Sequence, residues 1–99
     1  MNKKDKLSLI AKSKNIKKVR KNIDAIDLRI LKLLSLRRKQ VIKITKFKKR
    51  SEIVDKKRIN LMLKNLVQKG KKLKVESFIV VNLWKAMINS FIKLERTKI

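Results

Sequence analysis

The sequence contains no cysteine and no histidine, and these two absences exclude several classes of chemistry. Without cysteine there is no disulfide framework, no catalytic thiol and no thiolate-ligated zinc or iron–sulfur site. Without histidine there is no imidazole for acid–base catalysis near neutral pH. Glycine-rich phosphate loops and catalytic triads are missing as well. Because the acidic residues form no cluster that could bind a metal, we expect no metal site. Any chemistry must use Lys, Arg, Asp, Glu, polar side chains or the backbone.

Proline is absent and Gly70 is the only glycine, so the chain carries few signals that end a helix. Apolar residues recur at steps of three and four, which predicts three amphipathic helices and an all-α fold. We predict helices over about residues 17–49, 55–69 and 75–96, with Gly70 just past the end of the second. Residues 48–53 and 71–74 would connect them. At 99 residues the chain fits one domain, here a helical domain over 17–99 preceded by a basic segment over 1–16.

Acidic residues are scarce: 7 Asp and Glu stand against 31 Lys and Arg, for a net charge of +24. Clustered cations attract phosphate, so nucleic acid is the first partner to consider. Lys far outnumbers Arg, however, and three Phe, one Trp and no Tyr offer little surface for stacking bases. We therefore disfavour nucleic acid, interpret most of the charge as a solvated lysine coat, and keep a helical nucleic-acid-binding module as the alternative from another class.

Long apolar runs are also missing. No run approaches the roughly 18 residues of a membrane span, and the lysine-rich N-terminus lacks the apolar core of a secretory signal. We accordingly expect a cytoplasmic protein that does not enter a membrane.

The first predicted helix would be about 50 Å long at 1.5 Å per residue. Two shorter helices of the same chain cannot cover its apolar stripe, so a second copy is the simplest missing partner. We therefore predict a homodimer whose long helices cross the interface. A monomer with a bent or broken first helix is the alternative.

Two cations interrupt that apolar stripe. With Ile30 as the centre, Arg37 and Lys48 fall within about 20° of the same line on the predicted helix. Burying an unpaired charge is expensive, and the chain has few acids to pair with them. A shared bound anion explains both residues better than salt bridges do, although long side chains that extend into solvent are the simpler alternative.

Charged residues also accompany the stripes of the other two helices. Asp55 and Arg58 share the apolar face of the second helix, although singly they fit a residue at a helix N-terminus and a solvated charge. Glu95 falls about 60° from the apolar stripe of the third helix, where a surface charge near Arg96 is its simpler interpretation.

Together these residues resemble the all-α chorismate mutase family over about residues 17–96. The matching pattern is Arg20-x-x-Ile23-Asp24-x-Ile26-Asp27-x-x-Ile30-Leu31-x-Leu33-Leu34-x-x-Arg37, then Lys48, then Asp55-x-x-Arg58, then Leu83-Trp84-x-x-Met87-Ile88. The resemblance implies an intertwined homodimer of three-helix subunits with two active sites. It further implies that each site takes Arg37, Lys48, Asp55 and Arg58 from one chain and Arg20 from the other.

The activity implied is the isomerisation of chorismate, a dicarboxylate, to prephenate in aromatic amino acid biosynthesis. This rearrangement is unimolecular and pericyclic, so it requires no nucleophile, metal or cofactor. By resemblance, Arg20, Arg37 and Arg58 would hold the two carboxylates in the reactive conformer. Lys48 would face the ether oxygen, where negative charge develops as the C–O bond breaks.

Three positions depart from the usual mutase pattern. Ile59 stands where the family commonly has a Glu that binds the ring hydroxyl, Phe91 where a Ser contacts a carboxylate, and Glu95 where a Gln donates to the ether oxygen. This alignment runs without gaps from Arg58; a shift of one residue would put Ser90 at the carboxylate position instead. Because Glu95 can donate only when it is protonated, we predict that activity rises as the pH falls.

Ile59 and Phe91 also resemble the isochorismate pyruvate lyases, a related group with the same fold that has apolar or aromatic residues at these positions. The run Lys46-Phe47-Lys48 is similar to theirs. Asp55, by contrast, resembles the mutases, and Glu95 is expected in neither group. We favour the mutase, with the lyase as the alternative and a catalytically weak regulatory homologue as a third hypothesis.

Overall fold

The computed structural model describes residues 2–99, and within them the secondary structure is entirely helical. Three α-helices follow in chain order: α1 spans Lys3–Ile44, α2 spans Lys56–Lys72 and α3 spans Ser77–Lys98. A short 3-10 helix, Arg50–Glu52, lies in the linker between α1 and α2. The all-α prediction with one long first helix is therefore confirmed.

Helix α1 begins much earlier than predicted. The segment over 1–16 is helical from Lys3 onward, and Met1 lies outside the described residues. Asn2 caps this start, since its Oδ1 accepts a hydrogen bond from the Asp5 backbone N–H at 2.8 Å. The basic stretch that follows contains neither Gly nor Pro, so nothing in it stops the helix.

At its other end α1 is shorter than predicted. The helix stops at Ile44, and a turn follows in which the Phe47 backbone N–H donates to the Ile44 carbonyl at 3.0 Å. The predicted extension to residue 49 is therefore wrong. Lys48 lies in the linker beyond α1, and the idea that it continues the stripe of that helix is wrong with it.

The described chain divides into two compact units that meet between residues 37 and 38. The first unit is α1 up to Arg37, and none of the residues of α1 is buried. Most of the predicted apolar stripe is accordingly exposed, with Ile23, Ile26 and Ile30 each about half accessible to solvent and Leu34 half-buried. This part of the chain provides no core of its own.

The second unit, residues 38–99, contains a small core. Helix α2 packs against α3, and the buried apolar side chains are Ile53 from the linker and Val80 and Ile88 from α3. Val80 and Ile88 are eight residues apart, a spacing that returns to nearly the same helix face. The linker is thus held to this unit through Ile53.

Gly70 lies inside the last turn of α2, which corrects the prediction that it follows the helix. Glycine is required by packing, because a Cβ at this position would lie 2.9 Å from Val80 Cγ2 on α3. The chain reverses instead through Lys74, whose φ is 61°, and the Val75 backbone N–H donates to the Gly70 carbonyl at 2.8 Å. Consequently the link between α2 and α3 runs over residues 73–76, and α3 begins at Ser77.

In the part of the chain that the structure describes, no helix is both long enough and apolar enough to cross a membrane.

Candidate active site

Lys48 and Glu95 are 47 residues apart in the sequence and form an ion pair in the second unit. The distance from Lys48 Nζ to Glu95 Oε1 is 3.4 Å, and the two side chains are 24% and 7% exposed. An unpaired carboxylate at such low exposure would be costly, and the ammonium group offsets that cost. The partly exposed Lys48 can still reach a second anionic group from solvent.

Glu95 lies on the buried face of α3, not at the edge of its apolar stripe. Val80, Ile88 and Glu95 are separated by eight and seven residues, steps that keep all three on one side of the helix. Its interpretation as a surface charge beside Arg96 is therefore wrong. The helix brings a carboxylate into the core, where Lys48 from the linker meets it.

Asp55 and Arg58 come together at the N-terminus of α2. Asp55 is the N-cap residue, and its Oδ1 accepts a hydrogen bond from the Arg58 backbone N–H at 3.0 Å. Both side chains are exposed, while the adjacent Ile59 is half-buried. The cap provides an acceptor for one of the free backbone N–H groups of the first turn, and it fixes the backbone position of Arg58.

An open depression of about 570 Å³ lies beside the linker. It is lined by Lys48, Glu52, Val54, Asp55 and Lys56. Two of the predicted site residues, Lys48 and Asp55, therefore border the same space, which is wide enough for a small organic anion.

Phe91 and Ser90 occupy different sides of α3. Phe91 precedes Glu95 by one helical turn and is half-buried, so both residues lie on the inner face. Ser90 is exposed, and its hydroxyl donates to the Ala86 carbonyl at 2.8 Å. The structure thus turns Phe91, and not Ser90, towards the side that carries Glu95.

Arg20 and Arg37 belong to the first unit. Arg20 is exposed and lines a shallow groove along α1, whereas Arg37 is half-buried. They are seventeen positions apart on one continuous helix, which corresponds to about 25 Å at 1.5 Å per residue. Arginine side chains that far apart on one helix cannot both touch one small molecule.

Glu52 is a polar residue of this region that the sequence reasoning did not single out. Its Oε1 accepts a hydrogen bond from the Lys49 backbone N–H at 2.9 Å, and its own N–H donates to the Lys49 carbonyl at 2.9 Å. The spacing Lys49-x-x-Glu52 could have indicated this contact, because in a capping box a Glu three residues after the N-cap accepts a hydrogen bond from the N-cap backbone N–H.

Metal ligands do not gather around these groups, because residues 2–99 contain no cluster of three or more acidic side chains. Fold and site together define a small all-α protein in which the lysine of a part-buried lysine–glutamate pair borders a depression that Lys56 also lines, an arrangement suited to an anionic organic molecule.

A family model described as "Chorismate mutase type II" matches residues 19–96. The chain belongs to this family, whose members are isomerases that act on chorismate, and the resemblance seen in the sequence is confirmed. No curated protein and no solved structure is significantly similar to the chain. Every residue predicted for the site falls inside the matched range, whereas residues 2–18 of the described chain precede it.

Proposed function

We propose that this protein converts chorismate to prephenate by binding the substrate's two carboxylates with arginines and by stabilising the charge that develops on its ether oxygen with Lys48. The observation that carries the proposal is the Lys48–Glu95 pair, a lysine and a carboxylate 3.4 Å apart within the chorismate mutase match. The resemblance to the chorismate mutases implies that both groups face the ether oxygen of the substrate.

Lys48 would act on the transition state. Its Nζ donates a hydrogen bond to the ether oxygen, which becomes more negative as the bond breaks, so the interaction is stronger in the transition state than with bound substrate. The ion pair with Glu95 keeps the ammonium group near the site before substrate binds. The rest of the rate enhancement comes from holding chorismate in the compact conformer that brings the reacting carbons together.

Glu95 would be a second donor to the ether oxygen, in its protonated form. As a carboxylate it accepts only, and it then competes with the substrate for Lys48. Protonation converts it to a donor and releases Lys48 to the substrate. We therefore expect the reaction to be faster at lower pH.

Arg58 and Asp55 would act at the N-terminus of α2. The Arg58 side chain is exposed and extends from a backbone position that Asp55 fixes through its cap hydrogen bond. Arg58 binds a substrate carboxylate, and the positive end of the α2 dipole adds to the attraction. Asp55 supports the site chiefly through this cap.

Arg20 would reach the substrate from a second copy of the chain. Arg37 binds one carboxylate from its own chain, and the separation of about 25 Å along α1 prevents Arg20 of that chain from joining it. A homodimer supplies Arg20 to the opposite site and also covers the exposed apolar stripe of α1.

Isochorismate pyruvate lyase activity is the second candidate. The observation that favours it is the apolar character of Ile59 and Phe91, both half-buried, at positions where mutases keep polar groups. The two reactions share a cationic site, so the residues that bind carboxylates do not separate them.

The test is incubation of the purified protein with chorismate and, separately, with isochorismate. Prephenate from chorismate is the expected product, and salicylate with pyruvate from isochorismate would favour the lyase instead. The Lys48→Ala variant should lose about 10²-fold or more in kcat, the size measured for removing one donor to a developing oxyanion. Lys46→Ala, which removes an exposed lysine of the same linker, should leave kcat unchanged. An unchanged kcat in Lys48→Ala would refute the role of Lys48.

A further inference from the structure

Lys48 is not held by regular secondary structure. Helix α1 ends at Ile44, and the 3-10 helix begins at Arg50, so the Lys48 backbone lies between the two. A residue in a connection has no helical ladder to fix its position, and its location depends on the neighbours that organise the loop. Because the Nζ atom must stay within reach of Glu95, something nearby has to set the path of the backbone.

Glu52 provides such a constraint. The Lys49 N–H donates to Glu52 Oε1 at 2.9 Å, and the Glu52 N–H donates to the Lys49 carbonyl at 2.9 Å. This reciprocal pair closes a ring of four residues directly after Lys48. The Lys49 peptide, which carries the Lys48 carbonyl, cannot rotate without breaking the bond to the carboxylate.

Ile53 anchors the closed ring to the core. It is the residue after Glu52, its side chain is buried, and its N–H donates to the Arg50 carbonyl at 3.3 Å. The linker is therefore fixed at two points, by the Glu52 carboxylate next to Lys48 and by Ile53 in the interior. Of the two, Glu52 is the closer to the reacting group.

We propose that Glu52 is a positioning residue that sets the backbone ahead of the 3-10 helix so that Lys48 Nζ is directed towards Glu95 and the substrate. The inference rests on the proposed function, in which Lys48 acts at the ether oxygen. Glu52 acts through its Oε1 as a hydrogen-bond acceptor, and its negative charge is not needed for the effect.

The expected consequence is large for catalysis and small for folding. Glu52 and the Lys49 N–H are exposed, so water replaces the lost acceptor and the fold survives. Lys48 then samples several positions, and a displacement of about 1 Å at a reacting group is enough to lower a rate by up to about 10²-fold. We expect Glu52→Ala to lower kcat about tenfold, with little change in KM.

The experiment measures kcat, KM and thermal unfolding for the full chain and three variants. Glu52→Ala should lose activity, and Glu52→Gln, which keeps an acceptor oxygen, should recover it. Glu76→Ala is the matched control, because Glu76 is an exposed N-cap residue of α3 whose side chain makes no cap hydrogen bond. It should keep full activity. Equal losses in the Ala and Gln variants would show that charge matters instead and would overturn the proposal.

A second comparison separates positioning from general damage. In a Lys48→Ala background, Glu52→Ala should cause no further loss of kcat, because the residue acts through Lys48. An additional tenfold loss there would contradict the inference. If Lys48→Ala lowers kcat while Glu52→Ala alone does not, the inference fails and the proposed function stands. If Lys48→Ala has no effect, the proposed function fails first.

Discussion

The two units of this protein use their apolar residues in opposite ways. In residues 38–99 a linker residue and two residues of α3 are buried, and α2 and α3 approach closely enough to require Gly70. In α1 up to Arg37 an equally regular apolar stripe is mostly exposed to solvent, and no residue is buried. One unit contains a core of its own, and the other presents an apolar surface that is mostly exposed to solvent.

This difference indicates where a second copy would bind. Fully burying one Val, Leu or Ile side chain contributes roughly 1.5–3 kcal/mol, so several such residues on α1 would stabilise an association considerably. The polar groups of the proposed site show the same division, since Lys48 and Glu95 meet within the second unit while Arg20 stands on the exposed helix. We therefore infer that the dimer completes both the fold and the site.

The largest predicted effect comes from a charge placed on the stripe of α1. Ile30 and Leu28 are 49% and 52% exposed in one copy of the chain, but they lie on opposite faces of the helix. Ile30→Lys should dissociate the dimer and abolish activity, because it buries a charge in the interface and removes Arg20 from both sites. Sedimentation and a chorismate assay measure the two consequences.

Leu28→Lys is the matched control, because it introduces the same charge at a position of nearly the same exposure. It should remain dimeric and active. If the Ile30→Lys variant is a fully active monomer, the stripe of α1 is not the interface on which activity depends. Equal effects of the two substitutions would contradict the proposal as well.

The sequence predicted the elements better than their ends. The spacing of apolar residues is enough to identify α1, α2 and α3, because each helix carries its apolar residues along one continuous face. The start of α1 was missed since Ser8, Lys12 and Asn15 replace apolar residues along the same face, and a polar helix has no periodic signal. Its end was missed since a run of lysines is equally compatible with helix and linker.

Glu95 shows why the site was harder to predict than the fold. A lone glutamate beside an apolar stripe looks like a surface charge, and its burial depends on Lys48, a residue brought to it by the path of the linker. Gly70 is a similar case, because its role lies in contact with Val80 and not in the local backbone. Such long-range contacts leave no trace in local spacing.

The next prediction concerns the polar pair of the second unit. Glu95→Gln should raise kcat severalfold at neutral pH, because the amide can donate a hydrogen bond to the ether oxygen and no longer holds Lys48 by charge. A Glu95→Gln variant no faster than the natural chain would refute the role of Glu95.

The smallest predicted effect is on the core of the same unit. Gly70→Ala should destabilise the protein by about 1–3 kcal/mol, because the new methyl group overlaps Val80, although alanine is the better helix former. Thermal unfolding measures the change, and adding Val80→Ala should remove the steric part of it. A stabilised Gly70→Ala variant would mean that α2 and α3 separate more easily than their packing suggests.

The claim that two chains share each site is tested most directly by mixing two inactive variants, Arg20→Ala and Lys48→Ala. Each homodimer lacks one group in both of its sites. A heterodimer contains one site with both groups and one with neither, so unfolding and refolding an equal mixture should restore about a quarter of the natural chorismate mutase activity. A mixture that remains as inactive as its components would contradict the account.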